Sequence, residues 1–556
     1  MSVAESVGTT SRTEVNRGAL IGIAVVLATV TNAVAFMLPP LLPIITTSYA
    51  DNSVSAAVWV FTALTLGGGA GFVLIPRLTD NLSDRSMSLL SGAILTAGAL
   101  CAAVLDSYAG LVVGCALMGF GGAAQLVPLS FLRRFLPGNA VSTAVSVLIM
   151  ATGTGVVLGM LGGGYSVRLW PLATHLNTAD ASIPHQSLAP FFYILAGLFV
   201  LTTVGLLAIV PNCPPENPGP VGALGTLWLI GWVTLILLAL TAPTDSTLGK
   251  NATLILLAGI AAGVGWWFAE RRSKAPVFDL TVLKKPFVTT ACVSAGLFGA
   301  VDAAFLVLST YYLQTPNFTG LQSPAGDTLG WPADATTYGL GLDPFKTGLV
   351  LLPFALTMFI SGKISERIIA RGRPGIVLVV GAVICMAGLL FLAVAHDQTW
   401  HYVVGSGLVG LGSRAGYSGA FAVPQFVLPE ERAGMAAGMP GTLMAIGFAF
   451  GAGIITMMQI GAGFVYRSVD VAALTTLGEK AQTGSKADLG AFQAAVQGID
   501  LRTSDYLLEG THFASADVYT SGYLVAMLFP ALVIVMAVVS RLRNPNGFRA
   551  VLEGQA

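Results

Sequence analysis

Charge is what this sequence has least of. Lys, Arg, Asp and Glu together make up 10% of its 556 residues, against roughly 25% in an ordinary soluble domain. A surface so poor in charge excludes water as the solvent for most of the chain. The 27 basic and 27 acidic residues cancel, so the basic excess that suits a nucleic-acid partner is missing, and none is expected. Cysteine is scarce as well. Cys101, Cys115, Cys213, Cys292 and Cys385 lie mostly in apolar runs without paired spacing, which indicates neither a disulfide framework nor a zinc site. The five histidines, His175, His185, His396, His401 and His512, fall in or beside outer segments. They read as solvated loop positions, and no metal is expected. No GxxxxGK[ST] loop occurs, so ATP is not the driver. No Ser-His-Asp order or pair of catalytic acids appears in the long polar segment 461–517. Neither an enzyme nor a cofactor is therefore expected.

Apolar residues fill the space these absences leave: 54% of the chain is hydrophobic and its mean hydropathy is +0.79. A membrane-crossing helix needs roughly 20 mostly apolar residues. By that measure fourteen spans are predicted: 18–45, 55–77, 86–106, 108–132, 139–164, 189–211, 223–243, 252–269, 287–314, 346–369, 374–395, 401–424, 434–460 and 518–540. Polar residues 1–17 precede a run too long for the apolar core of a signal peptide. Lys and Arg collect in alternate loops, at Arg17, Arg77 and Arg85, Arg271 and Arg272, Arg367 to Arg373, and Arg541 and Arg543. The positive-inside rule then puts both termini in the cytoplasm of a multi-pass plasma (inner) membrane protein.

The two halves echo each other. MGFGGAAQLVPLSFLRRFLPG in span four resembles VGLGSRAGYSGAFAVPQFVLPEE in span twelve, and PRLTDNLSDRS after span two resembles GKISERIIARGR after span ten. A two-fold repeat is what transporters with a midplane substrate site show. The predicted organisation is a tail 1–17, a six-helix bundle 18–211, a linker with two extra spans 212–286, a second bundle 287–541 with outer loops 315–345 and 461–517, and a tail 542–556.

Four stretches then carry a resemblance to the major facilitator superfamily, specifically its fourteen-span drug:proton antiporter branch. They are GVVLGMLGG from Gly155, the loop around Asp80 and Arg85, FAERRSKAPVFDLTVLKKPF at 268–287, and YYLQ at 311–314 followed by LDPFKTGLVLLPFAL. The resemblance implies an all-α major facilitator fold of two six-helix bundles plus two central spans. It further implies a secondary transporter exporting a small amphiphilic or hydrophobic compound in exchange for protons, as a monomer in the bilayer. The alternatives are a metabolite importer or uniporter of the same fold, or a non-transporting receptor with an outer-loop cap. Met160 stands where the family's antiporter motif has Pro. Span one lacks the family's acid, and Cys115 takes the place of its arginine in span four.

Two mid-span charges remain, Asp302 in span nine and Arg414 in span twelve. An ionisable group at that depth is costly and marks function by default. Asp302 is the expected proton carrier. Arg414 is expected to bias it or to bind an anionic substrate group. A static buried ion pair is the competing reading. Asn32 and Gln125 are uncharged candidates for the cavity wall, or else interhelical hydrogen bonds. Gly155, Gly159 and Gly163 lie on one helical face and are expected to form a pliable seam between the halves, since small residues let helix backbones approach closely. Asp80 and Arg85, with Glu366 and Arg367 as the second copy, are expected to latch one conformation at the cytoplasmic side.

Overall fold

The computed structural model of the chain describes residues 17–51, 53–128, 132, 138–169, 187–212, 222–242, 247–273, 276, 282–284, 286–315, 338–369, 371, 373–427, 433–465, 479–480 and 512–543. The first half holds α1 (Arg17–Ser48), α2 (Val54–Asn81), α3 (Asp84–Leu105), α4 (Tyr108–Gly122), α5 (Gly138–Leu169) and α6 (Ala189–Ile209). Next come α7 (Ala223–Thr241) and α8 (Ala252–Arg272). The second half holds α9 (Pro286–Gln314), α10 (Pro344–Val350), α11 (Leu352–Ile369), α12 (Pro374–Val394), α13 (Thr399–Val427), α14 (Ala433–Gly461), α15 (Ala516–Ala526) and α16 (Leu528–Arg543). Helices dominate because a backbone in lipid must satisfy its hydrogen bonds within its own segment. Side chains cap several starts: Ser53 accepts from the Ala56 amide, Ser107 from Gly110 and Asp343 from Lys346, which satisfies donors the helix leaves orphaned.

Twelve of the described helical segments are long and apolar enough to cross a membrane. α5 and α13, of 32 and 29 residues, occupy the positions of predicted spans five and twelve. The structure changes some outlines. Spans ten and fourteen are each broken once, at Leu351 and at Met527. Span four stops being α-helical at Gly122 and continues as a tight 3₁₀ turn, Ala123–Leu126. Helix α5 runs to Leu169, past the predicted end of span five at 164. The expectation of an all-α chain needs one small amendment, because β1 (Gly463–Val465) pairs antiparallel with β2 (His512–Ala514), Gly463 opposite Ala514.

The packing repeats. α1 lies on α5 as α9 lies on α14; α2 on α4 as α11 on α13; α3 on α4 as α12 on α13; and α3 on α6 as α12 on α15 and α16. The halves meet where α2 crosses α14, where α5 crosses α10 and α11, and where α1 meets α9. α7 and α8 pack on each other outside this core. α7 is tied to α2 by Ser55 Oγ to the Thr241 carbonyl (2.6 Å) and by Trp59 Nε1 to Thr241 Oγ1 (2.8 Å). α8 shows Leu254, Leu257 and Phe268 to its surroundings, a surface that suits lipid.

Candidate functional site

α9 is the most enclosed of those twelve segments. With α1, α13, α14 and α16 around it, a charge on almost any face of α9 meets protein. Asp302, midway along, is fully buried, and Arg414 Nη2 of α13 donates to its Oδ2 at 2.7 Å. The pair is presented unequally: the Arg414 side chain keeps 12% of its surface and Asp302 none. Three rings surround the guanidinium, Tyr417 at 5.0 Å, Phe354 at 5.1 Å and Phe36 at 5.8 Å. Such contacts stabilise a desolvated cation by about 2 kcal/mol or more in favourable cases. Phe354 stacks in turn on Phe305 at 5.5 Å. Phe36 belongs to α1, so the cation reaches across to the first half. The Ser413 and Tyr417 hydroxyls stand beside the carboxylate, yet Asp302 Oδ1, Arg414 Nε and the Tyr417 hydroxyl complete no hydrogen bond with described residues.

The other two cavity candidates find each other. Asn32 Nδ2 donates to Gln125 Oε1 at 2.7 Å and to the Ala28 carbonyl at 2.8 Å. Both side chains are half-buried. This pair joins α1 to the 3₁₀ turn after α4, the counterpart in the repeat of the contact between α9 and α13. The first half therefore has a neutral bridge where the second has a charged one. Asn32 and Phe36 are four residues apart and share a face of α1.

The glycine ladder is real, but its partner is not the one expected. A β-carbon at Gly155 would fall on the carbonyl oxygen of Thr29, one at Gly159 on that of Ala33, and one at Gly163 would come within 2.5 Å of that of Met37. All three carbonyls belong to α1, so the ladder joins two helices of one half and is not a seam between halves. Close backbone contact, not inter-half sliding, is why glycine is needed there. The second half repeats the device, with Gly447 and Gly451 of α14 against Gly296 and Ala300 of α9. The glycines at the boundary are others. A β-carbon at Gly164 would come 2.5 Å from the Pro344 carbonyl, one at Gly348 2.6 Å from that of Met160, and one at Gly438 2.6 Å from that of Phe72. Gly159→Ala is accordingly expected to lower stability by about 1–3 kcal/mol, the usual cost of overpacking. Gly162→Ala, where a β-carbon meets nothing within 4 Å, is expected to leave the thermal midpoint of the purified protein unchanged or raised. Equal midpoints for the two variants would contradict the close crossing.

At the cytoplasmic motifs the backbone of Asp80 lies in the last turn of α2, while its side chain falls outside the described residues. Arg85 is exposed. The acid that the sequence reading passed over is Asp84, 1% exposed at the first position of α3, where the helix dipole favours a negative charge. Glu366 and Arg367 are exposed near the end of α11. Of the histidines, His175, His185 and the side chain of His512 lie outside the described residues. The solvated-loop expectation fails for the other two. His401 is buried, and His396 stands edge-on to Tyr312 at 5.0 Å, where burial pushes its imidazole below the usual value. Outer hydrogen bonds tie the halves: Thr46 Oγ1 with the Tyr311 hydroxyl at 2.8 Å, and Gln314 Nε2 to the Pro40 carbonyl at 2.8 Å.

Comparison with known proteins adds a family and a fold. The profile of the Major Facilitator Superfamily matches residues 24–452. Among curated relatives, the chain is 24% identical to "Multidrug efflux pump LfrA" of Mycolicibacterium smegmatis, over 90% of this chain and 92% of that one. It is 24% identical to "Multidrug resistance protein Stp" of Mycobacterium tuberculosis, over 71% and 67%. The "Tetracenomycin C resistance and export protein" of Streptomyces glaucescens is 22% identical, over 73% and 69%. Two solved structures share the fold at 13% identity. One is a bacterial homologue of the human lysosomal transporter Spinster, inward-facing and unoccupied, with a TM-score of 0.54 over 97% of this chain and 98% of that one. The other is a peptide transporter bound to sulfate, with a TM-score of 0.56 over 95% of each.

Proposed function

The chain belongs to the Major Facilitator Superfamily, and from that premise we propose that it exports a small amphiphilic or hydrophobic compound across the plasma membrane in exchange for protons. Relatives named as a multidrug efflux pump, a multidrug resistance protein and a resistance and export protein support the direction of travel. The observation that carries the coupling is the ion pair of Asp302 and Arg414, buried beside a ring contributed by the opposite half. An ionised Asp302 is held by Arg414. A proton arriving from the outer side adds to the carboxylate, cancels its charge and releases the guanidinium. The pair thereby changes its hold on Phe36 as the halves rock. Exchange requires that substrate and proton favour opposite states of the carboxylate, because a ligand shifts an equilibrium only by its differential affinity for the two states.

Asn32 and Gln125 are proposed to border the same space as its neutral wall. Gly155, Gly159 and Gly163 keep α1 and α5 moving as one body. Asp80, Arg85, Glu366 and Arg367 are proposed as cytoplasmic latch residues. The basic ends of α1, α3, α8, α11 and α16 support a reading in which both termini are cytoplasmic. One chain contains both halves, so a monomer suffices.

Cells producing the protein are expected to hold several-fold less of a fluorescent amphiphilic aromatic compound than cells without it. A protonophore is expected to erase the difference. A difference that persists in the fully uncoupled cell would reject proton exchange.

A further inference from the structure

We propose that the site around Asp302 and Arg414, where the halves meet at Phe36 and Phe354, selects uncharged aromatic molecules carrying a hydroxyl or similar hydrogen-bond donor, and turns permanent cations away. The inference deepens the exporter reading and rests on it for the direction of travel. The charge selection itself is a property of binding.

Three observations carry it. First, Asp302 and Arg414 are the two residues of formal charge that stand mid-span, and they do not show themselves equally. The carboxylate is fully buried and already bonded at 2.7 Å, whereas the Arg414 side chain keeps 12% of its surface. The charge an arriving molecule meets is therefore positive. A cation is repelled by Arg414 and finds its natural partner taken. Second, the guanidinium rests among Phe36, Phe354 and Tyr417, and Phe36 and Phe354, from opposite halves, lie 6.4 Å apart. A planar ring placed among them extends a set of π faces that the cation already prefers.

Third, Asp302 Oδ1, Arg414 Nε and the Tyr417 hydroxyl are buried polar atoms without a hydrogen-bond partner among the described residues. Buried polar groups left in that state call for an explanation. A ligand hydroxyl that donates toward the carboxylate, directly or through Tyr417, and accepts from the guanidinium answers it. Such a donor favours the ionised carboxylate, so its binding opposes protonation, as exchange requires. An anion has the opposite sign. It binds best when protonation of Asp302 has freed Arg414, and so would travel with the proton instead of against it.

The test is a matched series of 2-naphthol, 2-naphthoate and trimethyl(2-naphthyl)ammonium, titrated at neutral pH into the full chain in lipid nanodiscs and followed by calorimetry. Wild type is expected to bind naphthol at least about tenfold more tightly than the ammonium, because like charges repel strongly in a low-dielectric site. Asp302→Asn leaves Arg414 uncompensated, and naphthoate affinity is expected to rise about tenfold on the same electrostatic ground. The double variant Asp302→Asn/Arg414→Gln holds no charge to strand in the core. It is expected to lose both the naphthoate gain and the exclusion of the ammonium. Ammonium binding to wild type as tight as that of naphthol, or naphthoate binding indifferent to Asp302→Asn, overturns the proposal. Naphthol transport in vesicles is scored separately: the predicted binding order without proton-driven movement supports the charge selection and removes the exporter reading alone.

Discussion

Asp302→Asn is expected to abolish the acceleration of efflux by an imposed pH gradient while downhill exchange of substrate across the same vesicles continues. The amide is nearly the size of the acid and can still accept from Arg414, but it cannot take up a proton in the working pH range. The two states that the gradient distinguishes in the wild type become one. If protonation shifts the conformational equilibrium by even 1.4 kcal/mol, its loss is worth about tenfold in the coupled rate. Protein levels should survive. The charge left behind is that of Arg414, which retains 12% of its surface and lies among three rings, so it is not stranded in an empty apolar site. The assay compares efflux in vesicles with and without a pH step. A variant that still responds fully to the step would remove Asp302 from the coupling role and leave the pair as a structural fixture.

Why these two residues could be found at all from the sequence is a matter of solvent. A single Asp in LFGAVDAAFLVL and a single Arg in GLGSRAGYSG stand out because hydrocarbon penalises either one alone. That penalty says each needs a partner; it does not say which. The two lie 112 residues apart, and only the packing of α9 on α13 shows that each satisfies the other. The same limit explains the glycine ladder. Spacing of four along α5 announces a helix pressed close against it, yet Gly155, Gly159 and Gly163 carry no mark that distinguishes α1 from a helix of the other half. The boundary glycines Gly164 and Gly348 are isolated in the sequence and become visible only when their carbonyl partners, at Pro344 and Met160, are known.

The architecture was easier to read, because span length and loop charge are both local properties. The breaks at Leu351 and Met527 were not legible, since apolar residues continue on both sides. His396 was misread for a related reason. The short connection between α12 and α13 is polar enough to suggest solvent, but it sits against Tyr312 of α9 and Tyr523 of α15, rings contributed from far along the chain.

Arg414→Gln is expected to do more damage than Asp302→Asn, and the contrast follows from burial. Removing the guanidinium leaves a carboxylate with no exposed surface and no countercharge. Breaking a buried pair from one side costs about 3–5 kcal/mol, a large fraction of the roughly 5–15 kcal/mol that holds a typical domain together. A carboxylate in that position escapes the cost by keeping its proton, which locks it in one state and stops exchange even in molecules that fold. The yield of monodisperse protein after extraction should therefore fall steeply for Arg414→Gln. It should recover in the double variant Asp302→Asn/Arg414→Gln, where no charge is left to desolvate. The recovered protein should remain insensitive to a pH gradient, since recovery of fold restores no titrating group. The cycle of four proteins separates two meanings of the pair. A coupling energy that appears in stability, with pH-driven transport equal in all four, would make the pair a fastener. Recovery of stability in the double variant without recovery of the pH response makes it the element on which the proton acts.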